Sequence, residues 1–275
     1  VNLPFVDVPR TQILQTFPAW RTLQLRFIHG RSVDMVIPTK FPSYGVNHPN
    51  KRVWLVHQHR QAYELYGTRF SDMHMRPDGQ LFAWVVRRLD AWGLKDAKGL
   101  YSISQNTADR LWRYNHLRAK PVYPPSRLAP VLHPGEYGSY VLAPGRFETI
   151  KRFDLVLRAM ALVKCPVTCL IAGDGAERDN LMKLATELNI NHRVKFLGRV
   201  TDEELVDLYA NCLGVVFPPF EEDYGFVTAE AFQACKPVIT TTDAGGPCEF
   251  VETGVNGYVA EPTPTGLADA LDQLW

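Results

Sequence analysis

Along the second half of the chain, short apolar runs alternate with segments whose apolar residues recur every three or four positions. Tyr140 to Ala143, Val167 to Ala172, Val194 to Leu197, Leu213 to Phe217 and Val238 to Thr241 have the length and apolar content of buried strands. Between them, Arg152 to Val163, Ala176 to Leu188, Asp202 to Asn211 and the stretch around Glu230 carry helical periodicity. Leu181, Leu184 and Leu188 fall in step, and Thr201 is placed to cap the helix that follows it. This alternation predicts a parallel sheet covered by helices on both faces, an α/β architecture.

The first half is less regular. Val33 to Ile37, Arg52 to His57 and Gly99 to Ile103 read as strands, and Thr39 to Gly45 and Asp72 to Gln80 as loops. Gln61 to Tyr66 has helical character. Leu81 to Trp92 predicts a helix with Phe82, Val85, Val86 and Leu89 on one side, and Ser104 to His116 a second, with Ser104 as its cap. Within residues 1–31, Thr16 to Phe27 mixes bulky apolar and basic residues. Core packing near a helix start at Pro18 is favoured over a basic amphipathic face. Lys120 to Gly138 contains Pro121, Pro124, Pro125, Pro130 and Pro134 and reads as a stiff, extended inter-domain linker. The expected boundary lies near His133, giving domains 1–133 and 134–275.

Charge reinforces that division. The net charge is only +1, yet residues 1–133 carry 19 Lys and Arg against 8 Asp and Glu, and residues 134–275 carry 11 against 21. Two readings follow: mutual attraction of the two domains, or a basic lobe that meets anionic lipid or a phosphorylated acceptor. The 275 residues, 46% hydrophobic, suffice for two medium domains. No apolar run approaches the roughly 18 residues of a membrane span, and no signal peptide is visible. A cytoplasmic protein is expected, with peripheral contact on the inner face of the membrane as a further possibility. Five cysteines without a Cys-x-x-Cys pair read as buried reduced thiols.

The densest chemical signal runs from Pro218 to Lys236. Two prolines end an apolar strand, an acidic loop follows, and Gly225 precedes a helical segment. Glu222 lies in the loop and Glu230 about one turn inside the helix. Amides of Tyr224, Gly225, Phe226 and Val227 can donate to a ligand oxygen at the helix start, where the dipole favours negative charge. A carboxylate accepts hydrogen bonds and donates none, which suits a pair of sugar hydroxyls. Carboxylates beside amide donors therefore fit a ligand rich in hydroxyls and phosphates. A second signal is Gly145-Arg146 with Lys151 five residues on, between a strand and a helix: close backbone approach with two cations that would neutralise a diphosphate. Cations disfavour that end of a helix, which argues for an anion there. A third is His57, delivered by the end of a strand into a loop that continues with His59 and Arg60. Gly173-Asp-Gly175 is not a dinucleotide fingerprint, because Arg178 stands where the third glycine belongs. No Asp-x-Asp pair, Walker A sequence or zinc-spaced His/Cys cluster occurs. Metal and cofactor are both expected to be absent, with Arg, Lys and helix amides taking a metal's place.

Glu222-Asp-Tyr-Gly-Phe-Val-Thr-Ala-Glu230 resembles the Glu-x7-Glu signature of family 4 of the retaining glycosyltransferases. Gly145-Arg146 with Lys151, and Gly245-Gly246-Pro-Cys-Glu-Phe-Val251, resemble further segments of the same family. The resemblance covers the second half densely and the first half sparsely. It implies a GT-B fold of two Rossmann-like domains facing across a cleft, with the amino-terminal domain incomplete and the chain truncated at both ends. It implies transfer of a sugar from a nucleoside-diphosphate sugar to an acceptor hydroxyl with retention. The acceptor would be a carbohydrate or a lipid-linked molecule of envelope polysaccharide, lipopolysaccharide or glycolipid assembly; nucleic acid is not an expected partner. By the same resemblance Glu230 holds the ribose, Glu222 a sugar hydroxyl, Arg146 and Lys151 the leaving diphosphate, and Arg199 lies beside the base. His57 sits near the anomeric centre, with His59 as the fallback. One departure is Arg152, where the family usually has Gly, expected to affect helix entry more than chemistry. The rival class is a non-catalytic nucleotide-sugar-binding pseudoenzyme or scaffold.

Overall fold

The computed structural model describes residues 11–275. Residues 1–10, part of the segment 1–31 considered above, lie outside the described residues. The chain divides into two compact units, Val1–Pro124 and Pro125–Trp275.

In the first unit, helix α1 (Thr11–Thr22) is followed by a short hairpin, β1 (Phe27–Ile28) with β2 (Arg31–Ser32). Phe17 of α1 is fully buried against Phe41 and Trp92, but the rest of Thr16 to Phe27 is half-buried or exposed, and Pro18 lies inside α1 rather than near its start. Then come β3 (Arg52–Leu55), α2 (Gly79–Lys95), β4 (Gly99–Ser102), α3 (Gln105–Asn115) and β5 (Lys120–Pro121). The strands form a parallel sheet in the order β3-β4-β5. Ser104 caps α3 as expected, its hydroxyl accepting from the Thr107 amide at 3.0 Å.

Two expectations for this unit need correction. Val33 to Ile37 is not a strand. Val36 makes a single bridge to Lys51, and the chain then runs beside β3, where Arg52, Trp54 and Val56 donate to the carbonyls of Val36, Pro38 and Thr39. Pro38 has no N–H to return, so the ladder cannot close into a regular strand. Gln61 to Tyr66 is a 3-10 turn (Arg60–Ala62) and further turns, not a helix. Tyr63 leaves helical dihedrals, with φ −125 and ψ −112, and sends its hydroxyl to the buried Asp90 at 2.7 Å.

The second unit is a parallel six-stranded sheet: β6 (Tyr140–Pro144), β7 (Thr168–Ala172), β8 (Val194–Gly198), β9 (Gly214–Val216), β10 (Val238–Thr241) and β11 (Gly257–Ala260). Its helices are α4 (Phe153–Met160), α5 (Arg178–Glu187), α6 (Asp202–Asn211), α7 (Phe226–Gln233) and α8 (Pro264–Leu274). Side chains alternate across the sheet, as a pleated strand requires. Val141, Ala143 and Ile171 join one core with residues of α4, α5 and α8, while Leu142, Ala172 and Val215 join another with Tyr209 of α6 and Ala231 of α7. Both faces are therefore covered. The predicted strands and helices of this half are all present, and Thr201 completes a capping box with Glu204.

The strand order is β11-β10-β9-β6-β7-β8. From β6 the chain moves outward through β7 and β8, then returns to the other side of β6 for β9 and continues to β11. The direction of winding reverses between β6 and β9. In an open parallel sheet that reversal opens a crevice at the carboxyl ends of the strands, where ligands bind.

The remaining corrections concern boundaries. The predicted Arg152 helix starts only at Phe153, because Arg152 itself is left-handed at φ 54, and it stops at Met160. The turn at Gly245-Gly246, whose glycines suit the opening of a further helix by sequence, is followed by a four-residue 3-10 segment, Gly246–Glu249. Lys120 to Gly138 is not uniformly extended, since Arg127 to Val131 folds into turns behind Ser126. Cys169 and Cys212 are buried and Cys165 and Cys248 half-buried, but Cys235 is exposed, lying just past the end of α7.

Candidate functional site

The loops after β6 and β9, which flank the reversal, carry most of the candidate residues. The β6 loop is shaped by glycine. Gly145 has φ +149, and the chain turns there onto the Gly173-Asp-Gly175 loop of β7. A Cβ on Gly173 would stand 1.8 Å from the Gly145 carbonyl oxygen, and one on Gly175 would stand 2.6 Å from that of Phe147. The two glycines thus serve close approach of backbones, with Phe147 donating its amide to the Asp174 carbonyl at 2.9 Å. This gives a physical reason for a Gly-x-Gly that carries no dinucleotide signature.

Lys151 and Glu222, which are 71 positions apart, meet at 2.6 Å as an ion pair with both side chains largely shielded. Arg146 extends into solvent, 75% exposed, and reaches Glu148 at 2.8 Å. The Glu222 backbone is held in place: its amide donates to Ala244 at 2.7 Å, and its carbonyl accepts from Gly246 at 2.8 Å. A Cβ on Gly246 would lie 2.6 Å from the Tyr224 carbonyl oxygen, so the Gly-Gly turn is a bed for the Glu222–Tyr224 loop.

Gly225, at φ +87, turns the chain into α7 and offers no side-chain cap. The leading amides of the helix, Phe226 and Val227, therefore look out of its amino terminus, where the dipole and unfilled donors favour an anion. Phe226 is exposed and Val227 packs on the core beneath. Tyr224 is buried, its ring edge-on to Phe226 and Phe250, so its contribution to a ligand would come from the backbone. Thr228 in the same turn has a buried hydroxyl with no hydrogen-bond partner.

Glu230 stands on α7 with both oxygens engaged by hydroxyls, Ser126 at 2.5 Å and Tyr209 at 2.9 Å. Burial and the Glu230 charge raise the Tyr209 phenol well above its ordinary range, which keeps it a proton donor to the carboxylate. Each carboxylate oxygen has two lone pairs, so Glu230 can still accept from a ligand. Sequence reasoning missed Ser126 and Tyr209, because neither lies near Glu230 in the chain. Arg199 is 86% exposed and approaches Asp174 at 3.4 Å. Among the described residues, no group of three or more His, Cys, Asp and Glu side chains is arranged to hold a metal ion.

His57 belongs to the first unit. It follows β3, is half-buried, and its Nδ1 lies 2.7 Å from the Gln58 carbonyl oxygen. His59 is half-buried and packs between the rings of Phe41 and Phe82.

Cations, carboxylates and helix amides thus gather at the winding reversal of a parallel α/β sheet. The chain belongs to the glycosyl transferases group 1 family, whose model matches residues 132–275, just over half of the chain. An uncharacterised glycosyltransferase of Methanocaldococcus jannaschii is 34% identical over 137 residues, covering 49% of this chain and 35% of that protein. The chain spans about a third of the length of the curated relatives it matches. Among solved structures, Anabaena Alr3699/HepE in complex with UDP and glucose has a TM-score of 0.60 at 25% identity, covering 70% of this chain and 57% of that one. The sucrose-phosphate synthase of Thermosynechococcus elongatus has a TM-score of 0.75 at 20% identity, covering 100% and 71%. The fold class is thus α/β with parallel sheets of the GT-B glycosyltransferase kind. No helix among the described residues is long and apolar enough to cross a membrane.

Proposed function

We propose that the protein is a family 4 glycosyltransferase that moves a hexose from a nucleoside-diphosphate sugar to an acceptor hydroxyl with retention. The observation that carries the reading is the meeting of Lys151 and Glu222 at 2.6 Å beside the uncapped start of α7, at the winding reversal of the sheet. Glu230, half-shielded on α7, accepts the ribose hydroxyls, and Glu222 accepts from a hydroxyl of the sugar. Lys151, Arg146 and the amides of Gly225 to Val227 neutralise the diphosphate as negative charge grows on it. Arg199 packs near the base, and His57 contributes beside the anomeric carbon. These groups supply positive charge without an Asp-x-Asp metal site. No side chain is assigned as a covalent nucleophile; the leaving phosphate oxygen takes the proton of the acceptor hydroxyl as the new bond forms on the same face. Structural neighbours solved with UDP, such as the Anabaena protein, support a nucleoside-diphosphate donor. The acceptor class proposed is a carbohydrate or lipid-linked molecule of envelope assembly.

Thermal shift against UDP, GDP, ADP, TDP and CDP tests the donor site, repeated with Glu230→Ala and Arg146→Ala. One nucleotide at a hundredfold its Kd adds about 2.7 kcal/mol of stability. The expected result is stabilisation by one nucleotide that both variants lose. Stabilisation by none of the five sinks the reading. Release of free sugar from the matching nucleotide sugar, with water as a poor acceptor, then separates an enzyme from a binding scaffold.

A further inference from the structure

Arg152 is buried, 4% exposed, yet it sits in the left-handed region at φ 54 and ψ 42, where a side chain is disfavoured and glycine is not. A buried guanidinium in a strained backbone position persists only where its surroundings compensate. They do so here with acceptors on all three nitrogens. Nε donates to the Pro218 carbonyl at 2.7 Å. Nη2 reaches the Pro219 carbonyl and the Thr241 hydroxyl, each at 2.7 Å. Asp243 takes the fork on both oxygens, at 2.8 and 2.6 Å. The guanidinium therefore ties together the end of β9, the end of β10 and the β6 loop from which it comes.

Its position in the chain gives these bonds their consequence. Ile150 accepts the Phe220 amide at 2.9 Å, Lys151 holds Glu222 at 2.6 Å, and Arg152 holds Pro218 and Pro219. Three consecutive residues of one loop thus grip the other. On the far side, Asp243 and Ala244 accept the amides of Glu221 and Glu222, so the Arg152–Asp243 fork closes the frame from behind. The prolines matter as well. They contribute carbonyls but no amides, leaving two acceptors at the strand end that a planar donor such as arginine can satisfy together.

We infer that Arg152 is a positioning residue: it sets the separation of the Lys151 turn from the Glu222 loop and so preforms the diphosphate–sugar end of the site. The role of that site rests on the donor reading above, whereas the positioning does not. The hydrogen bonds of the buried Arg152 guanidinium all go to groups of the protein itself. Glycine at this position would relax the backbone and free the two loops from each other. Lysine would keep the charge but cannot fork onto Asp243 while also reaching two carbonyls.

The test has a ligand-free arm and a ligand arm, using Arg152→Gly, Arg152→Lys and Asp243→Asn in the full chain. Amide hydrogen exchange without ligand should speed up about tenfold or more over residues 218–224 in Arg152→Gly, with α4 as protected as before. Lysine should not restore protection, and Asp243→Asn should reproduce part of the effect. Unchanged exchange over 218–224, or an equal rise throughout the second unit, overturns the inference. In the ligand arm, UDP, GDP, ADP, TDP and CDP are compared with the corresponding monophosphates. Arg152→Gly should weaken the diphosphate that binds about tenfold and leave its monophosphate within twofold. Equal loss for both overturns the link to the diphosphate end. If the unsubstituted protein binds none of the five diphosphates while the exchange result holds, the donor reading fails and the positioning role stands.

Discussion

Tyr209 shows how much of this site depends on single polar atoms. Its ring is fully buried under the second sheet face, and only its hydroxyl reaches Glu230. Tyr209→Phe keeps the ring and removes that donor, leaving one oxygen of a half-shielded carboxylate short of a partner. The expected cost is about 1 kcal/mol in stability, with nucleotide affinity reduced severalfold because Glu230 is no longer oriented; urea denaturation and a nucleotide titration measure the two. Ser126 bears on the other oxygen at 2.5 Å. Glu230 itself was legible from its spacing to Glu222 in a strand–loop–helix context. Its two supporting hydroxyls were not, since they arrive from a proline-rich segment and from α6, and hydroxyl residues at those positions have no local signature. Lys151 and Glu222 were each legible, while their contact was not.

At the scale of elements, the α6 amino terminus is the best-specified boundary in the chain. Thr201 accepts from Glu204 while the Glu204 side chain accepts from the Thr201 amide, and three acidic residues occupy the first turn. Thr201→Ala should cost about 1 kcal/mol of stability in the second unit and leave nucleotide binding unchanged, read as a lower urea midpoint at constant Kd. The Gly-Gly turn behaves differently. Gly246→Ala places a Cβ 2.6 Å from the Tyr224 carbonyl oxygen, and backbone cannot yield there as a flexible side chain would. The substitution should displace the Glu222–Tyr224 loop and weaken nucleotide binding together with stability; an unchanged Kd contradicts the bed-like role of this turn. Element existence was legible where amphipathic period and caps agreed, as in α3, α5 and α6. It failed at Val33 to Ile37, where the apolar run was right but Pro38 denies the ladder an amide, and at Gln61 to Tyr66, where Tyr63 gives up helical dihedrals to bond Asp90.

At the scale of the molecule, each unit carries its own electrostatic consequence. Asp90 is fully buried in the first unit beside Tyr44, Tyr63 and Gln58, and burial pushes its carboxyl up to about 7, against the pull of the donors around it. The unfolded chain gives up this proton near the ordinary carboxylate value of about 4. Between these values the folded unit binds one proton more than the unfolded chain, so its stability falls as pH rises through about 7, by on the order of a few kcal/mol. Five of the six tryptophans lie in this unit, so their fluorescence in urea reports it. Asp90→Asn should flatten the difference between pH 5 and pH 8. The 19 basic against 8 acidic residues in 1–133 leave two readings, attraction between the domains or contact with an anionic surface, and we propose a test of the second. Flotation with anionic vesicles should show binding at low salt that high salt releases; no binding at low salt rejects it.

The sequence by itself determined the alternation of strands and helices in the second half, the capping residues, and the chemical types gathered near Glu222 and Glu230. These follow from periodicity, from hydrogen-bonding groups at helix ends and from glycine's access to positive φ, all local properties of the chain. The tertiary structure decided the rest: that β9 returns to the other side of β6, that Lys151 pairs with Glu222, and that Glu230 is held by Ser126 and Tyr209. It also decided the place of Arg152, whose backbone strain is local but whose five hydrogen bonds come from segments 66 to 91 residues away. Contacts at such separations depend on strand order and loop packing, and no local pattern in the chain records them.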